Sequence, residues 1–88
     1  MPRYVHRKVA EIRENPERGE EIRLLVGVRG ATQDVVERVR ELNGEVVEEL
    51  PFDSLVVVLS EPQVDSLCNT PSVESVELDE GMETLSGN

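Results

Sequence analysis

The chain has 88 residues and a formal net charge of −10, and only 2% of its residues are aromatic. All nine Lys and Arg lie between Arg3 and Arg40, so residues 41–88 hold twelve acids and no base. These values indicate one domain. They argue against nucleic-acid binding, which needs clustered basic residues, and against a membrane span, because no apolar run approaches about 20 residues.

The first predicted element is a short amphipathic helix from Arg3 to Asn15, with Val5, Val9 and Ile12 on one face. It ends at Asn15 because the residue before proline is disfavoured in a helix. We therefore treat residues 1–20 as an N-terminal helix and linker. The sequence leaves open whether this segment is docked on the domain or frayed.

The next two elements are a strand and a helix. Residues Glu21–Arg29 alternate between two faces, which predicts a strand. A helix then begins at Thr32 or Gln33 and carries an apolar stripe that ends at Leu42. Asn43 and Gly44 end it, and we expect Gly44 to take the left-handed conformation.

The pattern of the second half of the chain predicts two strands, Glu45–Leu50 and Leu55–Leu59, joined by a turn. A short helix beginning after Ser60 and a last strand, Ser72–Asp79, follow them. The turn consists of residues 51–54, where Pro51 and Asp53 are typical turn formers. The residues after Gly81 show no periodicity.

The order of these elements predicts an α+β fold. From residue 21 to residue 80 it is strand, helix, strand, strand, helix, strand. We expect a ferredoxin-like split βαβ sandwich (βαββαβ) with a four-stranded antiparallel sheet and both helices on one face, plus the extra N-terminal helix. Residues 81–88 form a C-terminal tail. The run Leu55–Leu59 is apolar on both faces, so the open face of the sheet should have an apolar centre. The N-terminal helix, a partner protein or a second copy could cover it.

The sequence does not contain the combinations of residue types that catalysis or metal binding needs. His6 and Cys68 are the single histidine and cysteine, which excludes a zinc set and argues against a Cys–His nucleophile pair. Cys68 is best explained as a small buried residue. The acid pairs at residues 48–49 and 79–80 lack a calcium-loop pattern. We expect no catalytic residues, no metal, no cofactor and no enzymatic activity.

Residues 22–85 contain motifs that resemble a known family. Val64, Leu67, Pro71 and Val73 have the spacing V-x-x-L-x-x-x-P-x-V, and Val76–Asp79 reads V-E-x-D. Residues 43–46 look like the helix end and second strand of that family, and residues 52–59 are similar to its third strand. The chain therefore resembles the propeptides of subtilisin-like serine proteases and the free-standing peptidase inhibitors related to them.

The resemblance implies which residues would bind a protease. In that family the open sheet face packs on two surface helices of the protease, and acids of the V-E-x-D motif meet their N-termini. Here those acids would be Glu77 and Asp79. The tail would lie in the active-site cleft as a product does. Met82 and Leu85 would occupy two side-chain pockets of the cleft, with Glu83 and Thr84 between them.

The resulting hypothesis is a protein that acts in trans as an inhibitor, a folding helper, or both, of a subtilisin-like serine protease. The alternative is a ferredoxin-like regulatory or dimerisation module with no protease target, which would form a homodimer through the same face. We expect a cytoplasmic location because no signal peptide is recognisable, with secretion still open. The acidic, lysine-poor composition further predicts a halophilic origin.

Overall fold

A computed structural model describes residues 4–79. These residues form one five-stranded sheet and three α-helices, with a short 3₁₀ helix at Glu61–Gln63. The strands are β1 (Tyr4–Val5), β2 (Glu21–Val28), β3 (Glu45–Leu50), β4 (Ser54–Ser60) and β5 (Val73–Leu78). The helices are α1 (Arg7–Glu14), α2 (Thr32–Glu41) and α3 (Val64–Cys68). The sheet order is β1-β5-β2-β4-β3. The predicted α+β class is confirmed.

The predicted four-stranded sheet is wrong by one strand. Tyr4 and Val5 were expected in the N-terminal helix, but they form β1, which pairs in parallel with Ser75 and Val76 of β5. The helix starts only at Arg7, because His6 caps it: the His6 Nδ1 accepts a hydrogen bond from the Lys8 amide at 3.1 Å. The sheet is therefore mixed, with one parallel pair at its edge.

The strand and helix order predicted for residues 21–80 is present from β2 to β5, and these four strands pair antiparallel. All three α-helices contribute to a single core on one side of the sheet. Side chains with no exposed surface come from α1, β2, α2, β4, α3 and β5, and include Val9, Leu24, Val35, Leu55, Leu67 and Val76. Burial of these groups is the main source of stability.

Helix α1 is docked on the helix side of the sheet. Val9 lies in the core, and Ile12 packs against it. The Arg13 Nε donates a hydrogen bond to the Asp65 Oδ1 at 2.9 Å, which ties α1 to α3. The linker after α1 is held as well, because the Glu17 amide donates to a Glu61 carboxylate oxygen at 2.9 Å. The opposite face of the sheet is thus left uncovered by this helix.

The end of α2 differs from the sequence expectation. Asn43, with φ of 62°, takes the left-handed conformation, which asparagine tolerates better than most residues. Gly44 is needed for a different reason, a close approach between the α2–β3 connection and β4. A Cβ on Gly44 would lie 2.8 Å from the Val58 carbonyl oxygen and would overlap the Leu59 side chain.

Candidate functional site: the open face of the sheet

The open face is the side of the sheet opposite the helices, and its centre is apolar. On β2 the residues that alternate with the core side chains are Arg23, Leu25 and Gly27, and Leu25 lies directly opposite Val56 of β4. Val56 is 5% exposed yet lies outside the core cluster, so its neighbours on this face cover it. Val58 lies next to it on the same face, opposite Arg23. The predicted apolar centre is therefore present.

Acidic side chains flank this centre on the two strands next to β2 and β4, namely β5 and β3. Glu77 of β5 lies opposite Leu25, on one side of the centre. Glu45 and Glu48 of β3 lie opposite Val58 and Val56, on the other side. A partner that covers this centre and extends onto β5 or β3 therefore meets carboxylates, as the acidic composition of residues 41–88 leads us to expect.

Asp79 forms an ion pair that the sequence did not indicate. The Arg23 Nε donates to the Asp79 Oδ2 at 2.9 Å, and the Asp79 amide donates to the Arg23 carbonyl oxygen at 3.1 Å. The Asp79 side chain is 16% exposed. The carboxylate therefore fastens the end of β5 to β2, with part of its surface still accessible from the open face.

Glu77 is in a different environment. It is half-buried, and no hydrogen bond or ion pair joins its carboxylate to another residue in the range 4–79. The two predicted acids are thus brought to the same face, one paired and one without a partner in this range. Met82, Glu83, Thr84 and Leu85 lie outside the described residues.

Two residues that the sequence analysis did not single out belong to this surface or its edge. Arg23 pairs with Asp79, as given above, and its alternation with Leu24 already placed it on the outer face. Phe52, at the tip of the β3–β4 hairpin, is 96% exposed. The sequence feature that could have indicated Phe52 is the presence of a large aromatic residue within a predicted turn.

Cys68 behaves as the sequence suggested in one respect, since its side chain is fully buried in α3. The pKa of the Cys68 thiol is raised, chiefly by burial; the nearby Arg13 lowers it and Asp65 raises it.

Within residues 4–79 no group of three or more His, Cys, Asp or Glu side chains is arranged to hold a metal ion. The longest helix described has ten residues, and none is long and apolar enough to cross a membrane.

The buried thiol gives a prediction about stability at high pH. Because the folded state holds the thiol proton more tightly than the unfolded chain, stability should be full below the ordinary thiol pKa, about 8.5, and should fall as pH rises above it. A Cys68→Ala variant should lose less stability over the same pH range in urea unfolding. Identical pH slopes for the two proteins would contradict this account.

The open face, with its apolar centre and acidic flanks, gives this small α+β domain a surface suited to binding a protein partner. A family model with the description "Putative peptidase inhibitor domain" matches residues 4–79. The chain belongs to this family, which supports peptidase inhibition as the class of function and a peptidase as the partner. Searches of curated proteins and of solved structures gave no match.

Proposed function

We propose that this protein inhibits a subtilisin-like serine protease in trans and assists its folding, by docking through the open face of the sheet. The family supports the general class, peptidase inhibition. The protease type rests on the V-E-x-D ending and the spacing of residues 64–73.

The observation that carries the proposal is that no helix covers the open face of the sheet within residues 4–79. Helix α1 packs on the other side of the sheet. In the apolar centre of the open face Val56 is already covered by its neighbours, but Leu25 and Val58 keep part of their surface exposed, so residues 4–79 do not fully cover this centre. A partner surface that covered it would gain from burying apolar groups, which is the dominant favourable contribution in most protein association. The acidic flanks would set the orientation of that partner rather than most of the affinity.

Glu77 and Asp79 would have different roles in the complex. A carboxylate without a partner can accept hydrogen bonds from the free N–H groups at a helix N-terminus and is stabilised there by the helix dipole. Glu77 fits that role, because nothing in residues 4–79 pairs with it. Asp79 fits a positioning role, since its ion pair with Arg23 fastens the end of β5 to β2. Residues 82–85 would then enter the active-site cleft.

Titration of a subtilisin-like protease with the intact chain and with a chain lacking residues 82–88 tests this function. We expect inhibition by the intact chain and at least tenfold weaker inhibition without the tail, because the residues proposed to fill the cleft are gone. Residual binding should remain through the open face. Absence of inhibition by the intact, folded chain would overturn the proposal.

A matched pair of variants serves as the control for the two acids. Glu77→Gln keeps the shape of the side chain and should weaken inhibition about two- to fivefold, with an effect that diminishes at high salt. Glu37→Gln makes the same chemical change at an exposed position of α2, on the side of the sheet away from the open face, and should leave inhibition unchanged. Equal effects of both variants would assign the change to net charge alone.

A second candidate function follows from the same apolar centre. Two copies could pair through their open faces, giving a regulatory or dimerisation module without a protease target. The acidic flanks oppose such pairing at low salt, because like charges would meet across the interface. Sedimentation distinguishes the two functions, since a stable dimer that buries Leu25 and Val58 would prevent docking on a protease.

A further inference from the structure

The tip of the β3–β4 hairpin has a conformation that folding alone does not favour. Phe52 and Asp53 both lie in the left-handed region, with φ of 62° and 55°. Turns of this kind favour Gly, Asn or Asp, and a bulky residue with positive φ is an outlier. The turn would therefore be more stable with Gly or Asn in place of Phe52.

No packing compensates for this conformation. The Phe52 side chain is 96% exposed, so almost none of its surface is covered by residues 4–79. Single exposed apolar residues are common on protein surfaces and need no explanation by themselves. An exposed aromatic side chain in a strained backbone conformation is different, because such strain persists mainly at binding and functional sites.

The turn is held in place by the neighbouring strands. The Val28 amide donates a hydrogen bond to the Asp53 carbonyl oxygen at 2.8 Å, and Leu50 pairs with Ser54 across the base of the turn. The Phe52 ring is therefore presented from a fixed backbone. A preorganised aromatic side chain with few rotatable bonds loses little entropy when it is bound, which suits it to be an anchor.

The position of Phe52 indicates a protein partner. It lies at the end of the sheet opposite Asp79, about 20 Å away by strand spacing and rise. A partner that contacts both ends of the open face must span that distance. A second copy is disfavoured at the tip, because the same hairpin carries Glu48, Glu49 and Asp53, and two such tips would bring like charges together.

The hairpin tip is also unsuited to the active-site cleft of a protease. An extended peptide can add as a strand to a groove and satisfy its backbone hydrogen bonds there. Two successive left-handed residues cannot form such a strand. The complementary site is thus an apolar pocket with basic residues around it, elsewhere on the protease surface.

We propose that Phe52 is a binding anchor that inserts into an apolar, basic-rimmed pocket on the target protease, outside its substrate cleft. This inference rests on the proposed function. It adds a second point of contact, at the far end of the sheet from the chain segment that follows Asp79.

The test compares Phe52→Asn with Phe52→Tyr in the full chain. Asparagine suits the left-handed conformation, so its urea unfolding midpoint should equal or exceed that of the wild type. Its Kd for a subtilisin-like protease should nevertheless rise at least tenfold. Tyrosine keeps the ring and should change the Kd less than threefold. The same losses should be measured with protease whose nucleophile is blocked by a small sulfonylating reagent.

Each other outcome has a distinct meaning. If the wild type neither binds nor inhibits the protease, both the proposed function and the anchor are overturned. If the wild type inhibits and Phe52→Asn inhibits equally well, the anchor alone is overturned. If blocking the nucleophile abolishes the difference between the variants, the ring binds in the cleft and the proposed location is wrong. A wild-type dimer that Phe52→Asn dissociates would make a second copy the occupant.

Discussion

Replacing Leu24 with alanine is expected to lower the free energy of unfolding by about 2 to 5 kcal/mol, a large part of the total for a domain of this size. Leu24 has no exposed surface and lies on the central strand β2, opposite Val57 on one side and Leu78 on the other. The neighbouring strands restrict relaxation around the cavity that the substitution leaves. Urea unfolding followed by circular dichroism measures the loss.

The control is Leu25→Ala, the same substitution one residue further along the strand. Leu25 points to the open face and keeps part of its surface exposed, so this change should cost less, about 1 to 2 kcal/mol. A loss equal to that of Leu24→Ala would mean that the open face is covered in solution. The pair of variants therefore measures how different the two faces of the sheet are in the free protein.

Replacing Leu25 with aspartate is expected to weaken protease inhibition by about 100-fold or more, which is the size of effect seen at binding hot spots. The new carboxylate would stand at the centre of the proposed interface, directly opposite Glu77. Docking would then bury a charge with no partner, in addition to losing the apolar contact. Inhibition constants at matched salt, with folding checked by circular dichroism, measure the effect.

Gln33→Asp provides the matched change in charge. Gln33 is exposed on the first turn of α2, on the side of the sheet away from the open face, where an acid is favourable for the helix. Inhibition should stay within twofold of the wild type. If Gln33→Asp weakened inhibition as much as Leu25→Asp, long-range charge rather than contact at Leu25 would be responsible.

Local periodicity predicted most of the elements because most of them bury a single face. Val35, Val36 and Val39 recur at helical spacing and are buried in α2, and alternation in β2 separated Leu24 from Leu25. Strand β1 has only two residues, too few for any period, and its pairing partner lies at the other end of the chain. The amphipathic pattern of α1 likewise indicated a helix but not the surface on which it would pack.

The candidate site was likewise predictable where it depends on local pattern, but not where it depends on pairing between distant segments. The sequence placed Glu77 and Asp79 on one face, because residues two apart on a strand project together. The ion pair of Asp79 with Arg23 depends on the register between β2 and β5, which is set by pairing across the sheet. The conformation of Phe52 was hidden for another reason, since the residue type argues against the backbone angle that it adopts.

The place of β5 in the sheet also constrains the order in which the chain can fold. Because β5 lies between β1 and β2, a chain emerging from the ribosome exposes β1 long before the strand that pairs with it. In that interval β1 could pair with the free edge of β2 and occupy the position of β5. A strand of two residues makes so few hydrogen bonds that such a pairing would dissociate quickly. The shortness of β1 therefore keeps the edge of β2 open until the last strand arrives.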